Sequence, residues 1–444
     1  MSDLPATTGG TGAPAVLTRM FRSLRTRNYR LWFFGQTVSQ TGTWMQSIAL
    51  GWLVYRVLTH SAFDLGITAA LQFGPVLFFG TIGGLVADRF DKRKVLLCTQ
   101  TAFTIQATAL WLVVASGSPR LWTVWALALT YGFINVFDNP SRQSFAVEMA
   151  GPDDLTNAVG LNSVIVNASR IVGPALAGVL IATSSGTTAM LTAGIARIFL
   201  INAVSFAAVI AALVAMRPAE LHRRPPVERA KRQIRAGLGY AWRAWELRVP
   251  LVMMAVIGTF AYNFSVIFPL YAADLFRRGG GTLGALTTAM GVGALGGALI
   301  IASRRRPSYR LLVTVTLAFG VLILTVAAAP TLPLALILLV PMGAASIMFI
   351  ATANSLLQLY SSAAMRGRVM ALWAMVFLGT TPLGAPLIGL LAGRYGARLA
   401  LGLGGIATLA VAVWAAFELR RIRLARPAAA DVATGLEVVA TPRR

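Results

Sequence analysis

The chain has 444 residues, 57% of them hydrophobic and only 12% charged, with 39 Lys and Arg against 15 Asp and Glu. That composition excludes a soluble domain of this length. The net charge of +24 is spread over short gaps between apolar stretches, which argues against a nucleic-acid partner and for membrane orientation. One cysteine, Cys98, excludes an internal disulfide.

In chain order, residues 1–30 are a cytoplasmic tail whose opening stretch MSDLPATTGGTGAPAVLT has no apolar core of a signal peptide and reads as disordered. Six apolar spans follow, Leu31–Tyr55, Leu65–Ala87, Val95–Ala115, Leu121–Phe137, Asn157–Ala182 and Leu191–Ala215, forming a first bundle over residues 31–216. Cys98, near the start of the third span, is expected to pack. A basic linker, 217–248, contains RRPPVERAKRQIR, which reads as solvated, and then QIRAGLGYAWRAWELR, which is compatible with a short amphipathic helix on the membrane surface or with a plain loop. Six more spans, Val249–Ala273, Leu283–Ala302, Leu311–Ala329, Leu332–Leu359, Val369–Leu391 and Leu399–Phe417, make a second bundle over 249–417. Residues 418–444 form a cytoplasmic tail, disordered after Arg426. About 20 apolar residues cross a hydrocarbon core, and only a helix satisfies its own backbone there, so the fold class is an all-α membrane protein with twelve transmembrane helices.

Arg56, Arg120, Arg277, Arg278, Arg394 and Arg398 stand in odd-numbered gaps, and Arg170 and Arg197 within spans. Every other Lys and Arg lies in a tail or an even-numbered gap. Positive residues stay inside, which places both termini in the cytoplasm. The halves are related: Gly83-Gly84 matches Gly296-Gly297, Asn139 matches Asn354, and Gly173-Pro174 with Gly178 matches Ala385-Pro386 with Gly389, all at nearly one offset. Chance matching among glycine-rich helices competes with this, but a duplicated six-helix unit accounts for all three pairs in order.

The loop after span 2 reads GGLVADRFDKRK. Asp88 ends an apolar helix at the interface, where a carboxylate seeks a cation or a helix N-terminus. Gly84, Asp88, Arg89, Lys92 and Arg93 resemble the signature loop of the major facilitator superfamily, with Asp91 in place of its second glycine. In span 5, Gly160, Ser169, Gly173, Pro174 and Gly178 resemble that family's exporter motif, with Ser169 and Ala177 replacing two glycines. Small residues permit close helix approach and Pro174 removes a backbone hydrogen bond. LWFFGQTVSQTGTWMQSIALGWLVY, FDNPSRQSFAVEM after span 4 and NASRIVGPALAG resemble the subgroup of enterobactin-type siderophore exporters and macrolide efflux pumps. The resemblance covers about Tyr29 to Phe417. It implies two pseudo-symmetric bundles, export by alternating access, a gating role for Asp88 at the start of span 11, and coupling to a proton gradient.

Gln36, Gln40, Thr43 and Ser47 recur at helical spacing on one face of span 1. With Asn135 in span 4, Asn167 and Arg170 in span 5, Asn263 in span 7, and Asn354 and Gln358 in span 10, they are the candidates for a substrate cavity, although each amide taken singly reads as an interhelical hydrogen bond. Arg170 reads as an anion site, a partner for Asp138, or an interfacial anchor. Asp64, Asp88, Asp138 and Asp274 all fall at span ends, and Asp138 is the candidate proton carrier. No P-loop, GxGxxG or HExxH occurs, and His60 and His222 lie in gaps on opposite sides, so no enzyme, cofactor or metal is expected. The expected protein is a monomeric secondary transporter of the inner membrane, with a small-molecule substrate and the lipid bilayer as partners. The alternative is a non-transporting membrane scaffold or sensor.

Overall fold

Apolar runs of this length leave the backbone no partner but itself, and the computed structural model is accordingly helical. It describes residues 22–150, 154–184, 186–222, 233–304 and 307–439. The helices of the first half are α1 (Arg27–Trp52), α2 (Ala62–Arg89), α3 (Lys92–Ala115), α4 (Leu121–Ala150), α5 (Leu155–Thr183) and α6 (Thr188–Ala215). After a surface helix, α7 (Gln233–Arg243), come α8 (Trp245–Phe260), α9 (Phe264–Leu270), α10 (Gly280–Ala302), α11 (Tyr309–Ala328), α12 (Leu332–Tyr360), α13 (Ala363–Tyr395) and α14 (Ala397–Val439). Among the described residues, 11 helices are long and apolar enough to cross a membrane, with α8 and α9 counted as one span. The 26-residue α1 is long enough as well, but Gln36, Ser39, Gln40, Thr43, Gln46 and Ser47 lower its hydropathy.

Several boundaries differ from expectation. The fourth span does not stop at Phe137: α4 runs on to Ala150 with Pro140 inside it. Asp138 therefore lies within a helix, not at its end, and FDNPSRQSFAVEM belongs to α4 instead of following it. Hydrophobicity ends there because the polar groups find partners inside the protein. The seventh span is broken at Tyr262 and Asn263, where the Asn263 side-chain amide takes the Thr259 carbonyl at 2.8 Å and substitutes for the lost helical bond. The tail after Arg426 is helical to Val439. Cys98 is exposed on α3, not packed. QIRAGLGYAWR does form a helix, α7, with Leu238 and Trp242 exposed; RRPPVERAKR and the opening tail lie outside the described residues.

Two compact units emerge. The first holds α1 and the chain from Phe78 through α6. Its core joins Tyr29, Trp32, Phe145, Met149, Leu161 and Leu213, with Trp32 and Phe145 in edge contact at 5.5 Å. Tyr29 donates to the Ala158 carbonyl at 2.8 Å, which satisfies its buried hydroxyl. The second unit holds Val54–Leu77 and the chain from α7 onward. Its helices approach through glycine: a Cβ on Gly293 or Gly297 would run into the backbone of Val340 or Ala344 across the α10–α12 seam. Gly83 meets Val136 in the same way across α2 and α4 in the first unit. Tyr240 of α7 accepts from the Ser362 amide ahead of α13 at 3.3 Å.

The first and seventh spans share a backbone irregularity. Helix α1 runs into a π-helix, Leu53–Thr59, and α9 into another, Tyr271–Leu275. Each closes on a tyrosine carbonyl, His60 N–H to Tyr55 and Phe276 N–H to Tyr271, both at 2.9 Å. The two non-glycine residues with positive φ among those described, His60 (55°) and Arg277 (50°), follow those segments.

Candidate functional site

The loop after α2 is built as a staple. Asp91 accepts from the Lys94 amide at 3.2 Å and caps α3, which explains why an acid serves where the resembling family has glycine. Lys92 pairs with Glu148 of α4 at 2.8 Å, the side chains 14% and 8% exposed. Arg93 donates to the α6 carbonyls of Leu213 at 2.7 Å and Val214 at 3.3 Å, where a cation complements the helix C-terminus. Asp88 is half-buried in the last turn of α2, Gly84 is half-buried, and Arg89 is exposed.

In α5, Gly173 is a contact point: a Cβ there would sit 2.5 Å from the Trp44 Cβ and 2.8 Å from the Thr41 carbonyl oxygen. Thr41 donates to the buried Ser169 hydroxyl at 3.3 Å. Pro174 and Gly178 are buried, whereas Gly160 is exposed with open space where a side chain would go. Beside this seam the Arg170 guanidinium lies over the Trp44 ring, 5.2 Å from its centroid, within cation–π range.

The α1 stripe divides by depth. Gln36 is buried and its Nε2 has no partner among the described residues. Gln40 and Thr43 are half-buried and Ser47 is exposed; the Thr43 hydroxyl donates to the Ser39 carbonyl at 3.0 Å. A second polar face escaped the sequence reading. Asn202 of α6 donates to Gln46 at 2.8 Å, Gln46 to Gln106 of α3 at 3.4 Å, and Gln106 to the Leu127 carbonyl of α4 at 3.2 Å. Ser39, Gly42 and Gln46 at helical spacing were the available signal.

Interhelical bonds do not account for Asn135, Asn167 or Asn263. Asn135 donates to Tyr131 at 3.1 Å, Asn167 to Ser163 at 2.8 Å and Asn263 to Thr259 at 2.8 Å, each to the carbonyl one turn back on its own chain. In α12, Gln358 donates to Asn354 at 2.5 Å. Asn263 Oδ1 is buried with no partner among the described residues. Next to it, Tyr262 donates to the Ser346 carbonyl at 3.0 Å and lies against Phe319 at 5.6 Å.

Asp138 is fully buried. Arg142, one turn on, reaches it at 2.5 Å, and Thr99 and Gln100 of α3 donate to it at 2.7 and 2.8 Å. Its cation is thus Arg142 and not Arg170.

The chain is similar to known membrane transporters. The chain is 28% identical to the multidrug efflux pump Tap of Mycolicibacterium fortuitum over 88% of its own length and 96% of that protein's. It is 27% identical to the enterobactin exporter EntS of Citrobacter koseri, covering 75% and 78% of the two chains. A match to the staphyloferrin A transporter of Staphylococcus aureus, 29% identical, spans only 39% of that relative. In fold it is similar to the nucleoside transporter NupG, at TM-score 0.68 and 12% identity over 87% of this chain and 98% of that one. A POT family transporter gives TM-score 0.70 at 11% identity, covering 89% and 96%. The transmembrane secretion effector model matches residues 18–438, and the chain belongs to that family of major facilitator transporters.

Proposed function

We propose that the chain exports an amphipathic organic solute of the drug or siderophore class from the cytoplasm by alternating access, in antiport with protons. It does so from the inner membrane with both termini in the cytoplasm. The observation that carries this reading is the alignment with Tap over nearly the full length of both proteins. Arg170 and Trp44 offer a cation beside an aromatic face to a cargo with anionic or aromatic groups. Asp138 is the proton carrier: when it is protonated its hold on Arg142 lapses and the α3–α4 contact through Thr99 and Gln100 is reset. Asp88 stabilises the state closed to the cytoplasm, and Lys92 and Arg93 brace its loop.

Whole-cell retention of fluorescent drugs and siderophores tests this reading. Cells making the protein should retain less of at least one probe than cells without it. Asp88→Asn at matched protein levels should raise retention again. Equal retention of every probe with and without the protein would favour the scaffold reading.

A further inference from the structure

We propose that Arg197 holds the phosphodiester of an anionic phospholipid in the leaflet that meets the start of α6. Under the orientation given by the positive residues, that leaflet is the outer one.

Helix α6 turns its polar residues inward. Thr192, Asn202 and Ser205 are buried; Asn202 bonds Gln46 of α1, and Phe206 stacks on Phe103 of α3. The opposite face is exposed: Met190, Ala193, Arg197, Leu200 and Val204 recur at alternating spacings of three and four. All but Arg197 are apolar, as a face that meets lipid requires. A charge on such a face is costly unless it finds a partner or reaches the headgroups. Among the described residues Arg197 makes no hydrogen bond, ion pair or ring contact. A second copy of this chain would not supply one at that depth, because the exposed acids among the described residues, Glu220 and Asp274, lie beyond or at the end of a span.

Depth decides which partner it meets. Helix α6 starts at Thr188, behind a Thr187 cap that accepts from the Met190 amide at 3.2 Å. Its 28 residues measure about 42 Å, which matches a bilayer with both headgroup layers. Arg197 stands nine residues past that start, about 14 Å along the axis, so its Cα lies below the nearer headgroups and short of the bilayer centre. The Cα–Cβ bond of a helical residue tilts toward the N-terminus, here toward the nearer surface, and a long basic side chain snorkels that way. A planar guanidinium binds phosphate oxygens in pairs. No carboxylate shares the face, so a headgroup of net negative charge complements Arg197 better than a zwitterion, whose own ammonium repels it. The acyl chains of the same lipid then lie on Leu200, Ile201 and Val204, all exposed.

The test attaches a bimane fluorophore to Leu200→Cys in a Cys98→Ala background of the full chain. The protein is placed in bilayers of phosphatidylcholine and phosphatidylglycerol, with bromine on the acyl chains of one lipid or the other as quencher. From the quenching, phosphatidylglycerol should bind beside the label about fivefold more tightly than phosphatidylcholine, equal to about 1 kcal/mol. Arg197→Leu and Arg197→Gln should each abolish that preference, and Arg197→Lys should keep part of it. A label at Ala211→Cys, exposed on the same helix toward its other end, should report no change on any of these substitutions. Equal quenching by both lipids with Arg197 in place, or a preference that survives Arg197→Leu and Arg197→Gln, would overturn the proposal. A label at position 200 that neither lipid quenches would overturn it too, because protein would then cover this face. No cargo enters the measurement, so a preference seen in a protein that moves no solute would refute export and leave the lipid site standing.

Discussion

Asp138 and Arg142 sit one turn apart on α4 with carboxylate and guanidinium 2.5 Å from each other, and two side chains of α3 complete the carboxylate's shell. Asp138→Asn should abolish dependence of transport on an imposed pH gradient. Leaving Arg142 without its anion should also cost about 3 kcal/mol of stability. Flux at several gradients together with thermal unfolding checks both. A variant that still responds fully to the gradient would remove Asp138 from coupling.

The Lys92–Glu148 pair is well shielded from water at both ends, so removing one partner strands a charge. Lys92→Ala or Glu148→Gln should destabilise by about 3 kcal/mol, while Lys92→Met/Glu148→Leu should restore most of that loss. Unfolding in mild detergent decides the matter. Additive losses in the double variant would contradict a direct pair.

The proposed function puts cargo recognition at Arg170 and Trp44, where the guanidinium lies over the ring. Trp44→Leu should weaken binding of an anionic aromatic cargo by about 1 kcal/mol, or about fivefold in affinity, with expression intact. Arg170→Lys should recover only part of it, since a compact ammonium lacks the planar stacking of guanidinium. Equilibrium binding to purified variants measures both, and an unchanged affinity in Trp44→Leu would place recognition elsewhere.

Two glycines of one motif should behave oppositely. Gly173→Val drives a side chain into Trp44 and the Thr41 backbone and should cost about 3 kcal/mol. Gly160→Val meets open space and should stay within about 0.5 kcal/mol. Comparable losses at both sites would show that the motif is not read through packing.

Span positions were legible in the sequence because lipid imposes a long apolar run on each crossing, and each predicted run lies on a helix or, in the seventh span, on a broken pair of helices. What stayed hidden was polarity satisfied inside the protein. Asp138 looked like a helix end because hydropathy falls there, although Arg142, Thr99 and Gln100 keep the helix going. Asn135, Asn167 and Asn263 looked like bridges between helices, but a short amide reaches its own preceding turn at no cost in packing. Gln46 was overlooked because its partners, Asn202 and Gln106, are far off in the chain. The hydrogen bond that the Tyr55 hydroxyl donates to the Asp274 carboxylate has the same character: nothing local in either π segment announces its partner.

Flux into and out of proteoliposomes containing only this protein is the most direct test of the account. With an imposed proton gradient, at least one amphipathic drug or siderophore should move against its own gradient, and collapse of the proton gradient should stop it. Absence of any gradient-driven movement across a broad cargo panel, with the protein folded and correctly oriented, would contradict the account.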